Sequence, residues 1–346
     1  MRVPSGVLGE ILHHLCMDGP LALRHILIVS RQFYYAAVND AHLWTNISFD
    51  PRFFKHFEGR PVKQVKRFTK QCLIRSGALP LCLRITPTSD NVPLSGALQA
   101  FMNPKYKGVE RCTSLTWHPS SQTTIQKTVA LLPKEFPSLK HMSLSHFDDP
   151  TNGSQCPNCP LLERVEIFNH WGPYPPFWGS KFAHVTTLSF GNTDRWAPFD
   201  LITLSLFPSL HDLTLFTLMG IEELVYHFDS QPQIQLRDLQ VLRVGGCTPS
   251  EILARVVAPV LKELHIKANA EDLTSIVPLW KSFEPSCLCL HVLLPESIAA
   301  QEPEWATDLS KLVKKCTRLE TLYISNWMEE EFKKCKSSSN VALHVL

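Results

Sequence analysis

Leu139-Lys140-His141-Met142-Ser143-Leu144 and Leu210-His211-Asp212-Leu213-Thr214-Leu215 are one phrase written twice. Each has an apolar residue, two variable residues, then apolar–variable–apolar. The closing alternation has the period of a strand with one buried face. The phrase returns at residues 112–117, 162–167, 185–190, 239–244, 261–266, 287–292 and 319–324, at intervals of 22 to 32 residues. Residues 81–85, Leu-Cys-Leu-Arg-Ile, read as a degenerate earlier copy. A unit that recurs at this spacing cannot bury its apolar side alone and must stack on its neighbours.

Helical patterns separate the strands, at residues 123–132, 221–228, 250–257, 273–283 and 305–315. Thr248-Pro249-Ser250-Glu251 is a capping box with proline at the first helical position. Proline also recurs just before the strand phrase, in Phe136-Pro137-Ser138-Leu139, Cys159-Pro160-Leu161-Leu162, Phe207-Pro208-Ser209-Leu210 and Ala258-Pro259-Val260-Leu261. The period lies within the ~20–29 residues of leucine-rich repeats. The expected fold over residues 79–346 is therefore an α/β solenoid like that family's, with parallel strands on the concave face and helices on the convex face.

Working back toward the N-terminus, the pattern changes. Val7, Leu8, Ile11, Leu12 and Leu15 form one helical stripe, and Asp18-Gly19-Pro20 breaks it. Leu21, Leu23, Ile26 and Leu27 begin a second apolar stretch, and Phe33, Tyr34, Ala37 and Val38 a third, before Leu43-Trp44. Three short helices in so few residues make a marginal core, which implies a partner. Residues 51–78 read as a basic helical linker, whose 51–75 stretch has eight Lys and Arg against Glu58. Two readings stand for it: a solvated helix face, or a docking surface for an acidic or phosphorylated partner.

The 346-residue chain is long enough for two or three domains, and its net charge of +2 argues against non-specific nucleic-acid or membrane binding. No apolar run approaches the ~18–20 residues of a membrane helix, and no signal peptide is visible. Eleven cysteines, an odd number scattered through core-like segments, suggest free thiols in a reducing compartment, the cytoplasm and/or nucleus.

Residues 3–47 resemble the F-box. The pattern is carried by Val3-Pro4, Leu8, Ile11-Leu12, Val29-Ser30-Arg31-Gln32-Phe33 and Leu43-Trp44. Gly6 stands where that family usually has an acidic residue, Ser30 where it has cysteine, and Phe33 where it has tryptophan. With residues 75–81 and the divergent repeats that follow, the chain looks like the large F-box families of mushroom-forming fungi. The resemblance implies a three-helix F-box over residues 1–50. It also implies docking on the Skp-type adaptor of an SCF (Skp–cullin–F-box) ubiquitin ligase and, through it, the cullin-RING machinery, with a protein substrate held by the repeats. Val3, Pro4, Leu8, Ile11, Leu12, Val29, Phe33 and Trp44 are then the candidate adaptor contacts, though several could instead hold the helices together.

Catalytic motifs are not in evidence: there is no GxSxG, HExxH, P-loop or GxGxxG. Cys156-Pro157-Asn158-Cys159 lacks a second ligand pair and reads as a turn with a core cysteine. No cofactor or metal is expected, and the chain is not expected to be an enzyme. On the strands, the variable residues alternate with the buried ones and should line the concave face. That face would carry His118, His141, Arg164, Glu166, Phe168, Asp212, Thr214, Phe216, Arg243, Glu263, His265, Lys267, His291 and Tyr323. Arg164, Phe168, Phe216, Arg243, His265, Lys267 and Tyr323 are the candidate substrate contacts, with the aromatic residues as anchors. The insertion at residues 171–178, rich in aromatic residues and proline, is a further candidate loop. The alternative to a ligase receptor is a protein-binding repeat scaffold without ligase function.

Overall fold

The computed structural model describes residues 5–16, 23, 27–49, 61–86, 92–118, 132–145, 157–168, 182–192, 201–217, 233–246, 249–267, 287–294, 305–335 and 341–346. The chain divides into two compact units, Met1–Val165 and Glu166–Leu346. It is a mixed α/β protein in which the main strands pair in parallel and in sequence order.

The first unit opens with helices α1 (Ser5–Leu15) and α2 (Arg31–Asn39) and a 3-10 turn, Ala41–Trp44. Strand β1 (Asn46–Phe49) follows, then helix α3 (Pro61–Arg75), β2 (Leu81–Ile85), helix α4 (Val92–Phe101), the short α5 (Gly108–Arg111), β3 (Cys112–Trp117) and β4 (His141–Ser145). Strand β5 (Arg164–Phe168) straddles the division between the units. Successive strands place Ile47 beside Leu83, Leu83 beside Leu115 and Leu115 beside Met142, and all four side chains are buried.

The second unit holds β6 (Thr187–Asn192), β7 (Asp212–Thr217), β9 (Val241–Gly245), β11 (Glu263–Lys267), β12 (Cys289–Leu293), β13 (Thr321–Ile324) and β14 (Ala342–Val345). A separate parallel pair joins β8 (Ile234–Gln235) to β10 (Val256–Val257). Helices α6 (Pro249–Arg255), α7 (Trp305–Lys315) and α8 (Glu329–Cys335) lie between strands in sequence. One inward row runs Leu188, Leu213, Leu242, Leu264, Leu290, Leu322, and the next Phe190, Leu215, Val244, Ile266, Val292, Ile324. Every one of these residues is buried. At ~1.5–3 kcal/mol for each fully buried large aliphatic side chain, the rows are the main term holding the strands together.

All nine copies of the strand phrase, and the degenerate copy at 81–85, form strands. The proline ahead of the phrase has a local cause. Leu139 N–H donates to Phe136 O, Leu162 to Cys159, Leu210 to Phe207 and Leu261 to Ala258, each closing a four-residue turn with proline second. Proline pre-sets the backbone there and lacks a donor the turn does not use. The first and last residues of each turn are buried, so the turn anchors the strand it introduces.

Two boundaries differ from the sequence reading. Strand β1 falls within the stretch assigned to the helical N-terminal domain, yet its Asn46–Phe49 pair with Cys82–Ile85. The basic segment is also more than a linker, because Val65, Thr69, Cys72 and Leu73 of α3 are buried and Thr69 Oγ1 donates to Val65 O. A helix between two paired strands is a repeat helix, so the repeat pattern begins near residue 46. The expected three-helix module is not shown: α1, α2 and the 3-10 turn are described, and Leu27 N–H donates to Leu23 O between them. The helical patterns at 221–228 and 273–283, nearly all of that at 123–132, the loop at 171–178, Thr248 and Cys156 lie outside the described residues. Among the described residues no helix is long and apolar enough to cross a membrane.

Candidate functional site

Two surfaces stand out, one in each unit. In the first, α1 carries two parallel stripes. Leu8, Leu12 and Cys16 turn inward, while Val7, Ile11 and Leu15, one residue earlier in each case, are exposed. Adjacent residues on a helix differ by about 100°, so a stripe this wide cannot be covered by one neighbouring element. Near α2 the effect is stronger: Ile28 is 83%, Val29 68% and Tyr35 62% exposed, with Tyr34 beside them. Of the twelve large apolar residues exposed among the described residues, seven lie between Val7 and Tyr35.

The module beneath this surface is closed on its own account. Ser30 caps α2, its hydroxyl accepting from Phe33 N–H at 3.3 Å. This gives a polar reason for serine at that position, since N-cap oxygens satisfy a donor the helix leaves open. Trp44 is buried, its Nε1–H donating to Ala37 O at 2.8 Å, and the Arg75 guanidinium of α3 sits 4.3 Å above its ring. His13 Nε2 lies 2.9 Å from Asp40 Oδ2, tying α1 to the end of α2.

The expected adaptor contacts therefore divide. Ile11 and Val29 are on the exposed apolar surface, and Phe33 is half-buried. Leu8, Leu12 and Trp44 are buried core side chains. Val3 and Pro4 lie outside the described residues. Sequence reasoning missed Val7, Leu15, Ile28, Tyr34 and Tyr35 as surface groups. The double width of the α1 stripe was the available signal for the first two.

The second surface is a row of rings. Parallel, in-register pairing sets Arg243 beside His265, His265 beside His291, His291 beside Tyr323 and Tyr323 beside His344. Flat side chains one strand spacing apart stand upright and stack. The His265 and His291 rings are 3.8 Å apart, His291 and Tyr323 4.1 Å, and Tyr323 and His344 4.8 Å, all close to parallel. His265, His291 and Tyr323 are half-buried and His344 is exposed. His291 Nε2 is 3.2 Å from Cys289 Sγ, and His265 Nε2 is 3.4 Å from Glu263 Oε2. Arg243 is ion-paired with Asp212.

Burial lowers the His265 pKa, with Glu263 opposing, and burial together with the neighbouring His265 lowers that of His291 to about 4. Both imidazoles are neutral near pH 7, so the row offers hydrogen-bonding edges without net charge. Among the described residues no group of three or more His, Cys, Asp or Glu side chains is disposed to hold a metal ion. Cys16 and Cys287 have thiol pKa values raised to about 12 by burial, and burial raises Cys72 and Cys112 as well. These thiols stay protonated and fill the core. Cys159 is also buried, its thiol donating to Pro157 O within its turn.

Of the expected substrate contacts, Arg243, His265 and Tyr323 share this row, and Lys267 and Phe216 lie in the next one. Lys267 Nζ is 5.8 Å from the Phe216 ring centroid. Phe168 and Phe216 are half-buried. Each lies across a glycine of the adjacent strand: a Cβ on Gly191 would come within 2.9 Å of Phe168, and one on Gly245 within 2.7 Å of Phe216. Arg164 is exposed in the first unit. There too, His118 Nε2 meets Ser143 Oγ and His141 Nδ1 meets Ser114 Oγ, both at 3.2 Å, so these imidazoles are partnered across strands. No protein-family model matches the chain, and no curated protein matches it significantly.

Proposed function

We propose that this chain is the substrate-recognition subunit of an SCF-type ubiquitin ligase, acting in the cytoplasm or nucleus. Its N-terminal helical module docks on a Skp-type adaptor, and its repeat face holds a protein substrate. The observation that carries the reading is the concentration of exposed apolar side chains on that module. Val7, Ile11, Leu15, Ile28, Val29, Tyr34 and Tyr35 remain outside a core that Leu8, Leu12, Ala37, Leu43 and Trp44 already fill. Apolar area left open beside a completed core favours a partner, and helices presenting such side chains fit a hydrophobic groove.

The ring row suits the second role. Ring edges of His265, His291, Tyr323 and His344, with Arg243 at one end, supply donors and acceptors on a stiff sheet. Aromatic and arginine side chains dominate binding energy at interfaces. Such a subunit performs no chemistry itself. It raises the effective concentration of a substrate lysine near ubiquitin carried elsewhere in the complex.

The test is co-purification of the full chain with a Skp-type adaptor. The intact chain should retain the adaptor. The double variant Ile11→Asp, Val29→Asp should lose it by at least about tenfold, because desolvating two carboxylates costs more than the ~1.4 kcal/mol a tenfold change represents. Its thermal midpoint should not move, since both side chains are exposed. An intact chain that ignores the adaptor would overturn the reading in favour of a protein-binding repeat scaffold without ligase function.

A further inference from the structure

The first unit has a cleft of about 400 Å³ at the C-terminal end of helix α3. One wall is aliphatic, formed by Leu73, Ile74 and Ala78, and Ile74 is 61% exposed. Lys105, Tyr106 and Lys107, from the turn after α4, also line the cleft. Asn103 shapes this turn, its Oδ1 accepting from Lys105 N–H at 3.0 Å, and Lys107 N–H donates to Pro104 O.

The charge in this region is one-sided. Among the described residues from 61 to 118, nine Lys and Arg face one acidic residue, Glu110. The Lys105 and Lys107 ammonium groups make no hydrogen bond or ion pair among the described residues, and neither does the Tyr106 hydroxyl. Arg111 also lines the cleft, but its guanidinium is committed to backbone carbonyls around the end of α3. It therefore neutralises the negative helix terminus without offering its fork to a ligand.

Lys107 has a further oddity. Its φ is +50°, the only non-glycine residue with positive φ among the described residues. Glycine adopts that conformation at no steric cost, while a side chain there is strained. The chain keeps lysine at the strained position, and Lys107 lines the cleft.

We propose that this cleft docks an acidic peptide segment of a partner protein. An aliphatic side chain of the segment lies against Leu73, Ile74 and Ala78, and its carboxylates pair with Lys105 and Lys107. Carboxylate suits the site better than phosphate, because the one arginine fork is already occupied and lysines act as point charges. An aliphatic wall suits a peptide better than nucleic acid, which needs flat aromatic faces for its bases. This proposal is independent of adaptor docking.

The test uses the full chain and fluorescence anisotropy with a short labelled peptide alternating glutamate and leucine. Binding should be measurable and should weaken with salt. It should fall about tenfold in the double variant Lys105→Glu, Lys107→Glu, ~1.4 kcal/mol for the two reversals together. Ile74→Ser should weaken it through the apolar wall, and Lys262→Glu in the second unit should leave it unchanged. Lys107→Gly should weaken binding while melting no lower than the parent chain, which a merely structural lysine would not do. The glutamine–leucine peptide should not bind. The proposal is overturned by no binding of the acidic peptide or by equal binding to the double variant. Tighter binding of a phosphoserine peptide or of single-stranded DNA of equal charge would overturn it as well.

Discussion

Replacing Arg111 should cost more stability than any other single surface-accessible change in the first unit. Its guanidinium reaches five acceptors: Nη1 donates to Ser76 Oγ, Gly77 O and Leu79 O, and Nη2 to Leu73 O and Tyr106 O. Leu73 belongs to the last turn of α3, whose final carbonyls have no partner within the helix. Gly77, at φ +59°, turns the chain toward β2, and its N–H donates to Ile74 O. Arg111 thus joins a helix end, the turn beyond it and the Tyr106 turn through one planar group.

Arg111→Met keeps the length and removes all five bonds. The Gly77 carbonyl contact is exposed and water replaces it. The bonds to Leu73, Leu79 and Tyr106 are part-buried. Leu73 O keeps the Ser76 hydroxyl as a donor, whereas the Leu79 and Tyr106 carbonyls lose theirs at ~1 kcal/mol each, so the expected loss is about 2 kcal/mol. Arg111→Lys keeps the charge, but one ammonium cannot span acceptors on three segments, so about half that loss remains. Urea unfolding should give these numbers from the shift in midpoint. Hydrogen exchange should report them locally, with the Ser76, Gly77 and Leu79 amides opening first. A methionine variant within about 0.5 kcal/mol of the parent, or a lysine variant as stable as arginine, would refute the keystone role.

Other outcomes follow from the same geometry. Gly108→Ala should destabilise by ~1–3 kcal/mol in urea unfolding, because its Cβ would sit 2.4 Å from the Phe101 carbonyl oxygen and the backbone must move. Leu12→Ala should cost ~2–5 kcal/mol, whereas Ile11→Ala, one residue away on the exposed stripe, should stay within ~0.5 kcal/mol. Differential scanning calorimetry separates the two. Acid should weaken the second unit through its ring row. The His291 pKa is about 4 in the fold against 6.5 ordinarily, so below 6.5 the unfolded chain binds the proton that the fold refuses. Stability is fully present above 6.5 and is lost as pH falls toward about 4. His291→Phe, which keeps the stack, should flatten that slope in denaturant titrations across the same window.

The strands were legible in advance because their cause is local. A phrase such as Leu210 to Leu215 alternates with period two, and the turn before it is written in proline. Neither needs knowledge of what lies beside it. Parallel stacking was legible too, since nine copies with one apolar side must cover one another. The reach of the repeat was not. Asn46–Phe49 looked like the tail of the helical module and Pro61–Arg75 like a charged linker, because charge on a helix surface says nothing about its other face.

Only the tertiary structure decided which side chains are available to a partner. Leu8 and Val7 are equally apolar and adjacent, yet one is core and the other surface, and only the packing of α1 distinguishes them. His265, His291, Tyr323 and His344 are scattered over about eighty residues of sequence, and it is register across four strands that makes them one row. Phe168 and Phe216 read as anchors in the sequence, and the neighbouring strands place Gly191 and Gly245 beside them. Local alternation specifies what a residue does to its own strand. What it offers another molecule depends on neighbours far away in the chain, and those are set by register and packing.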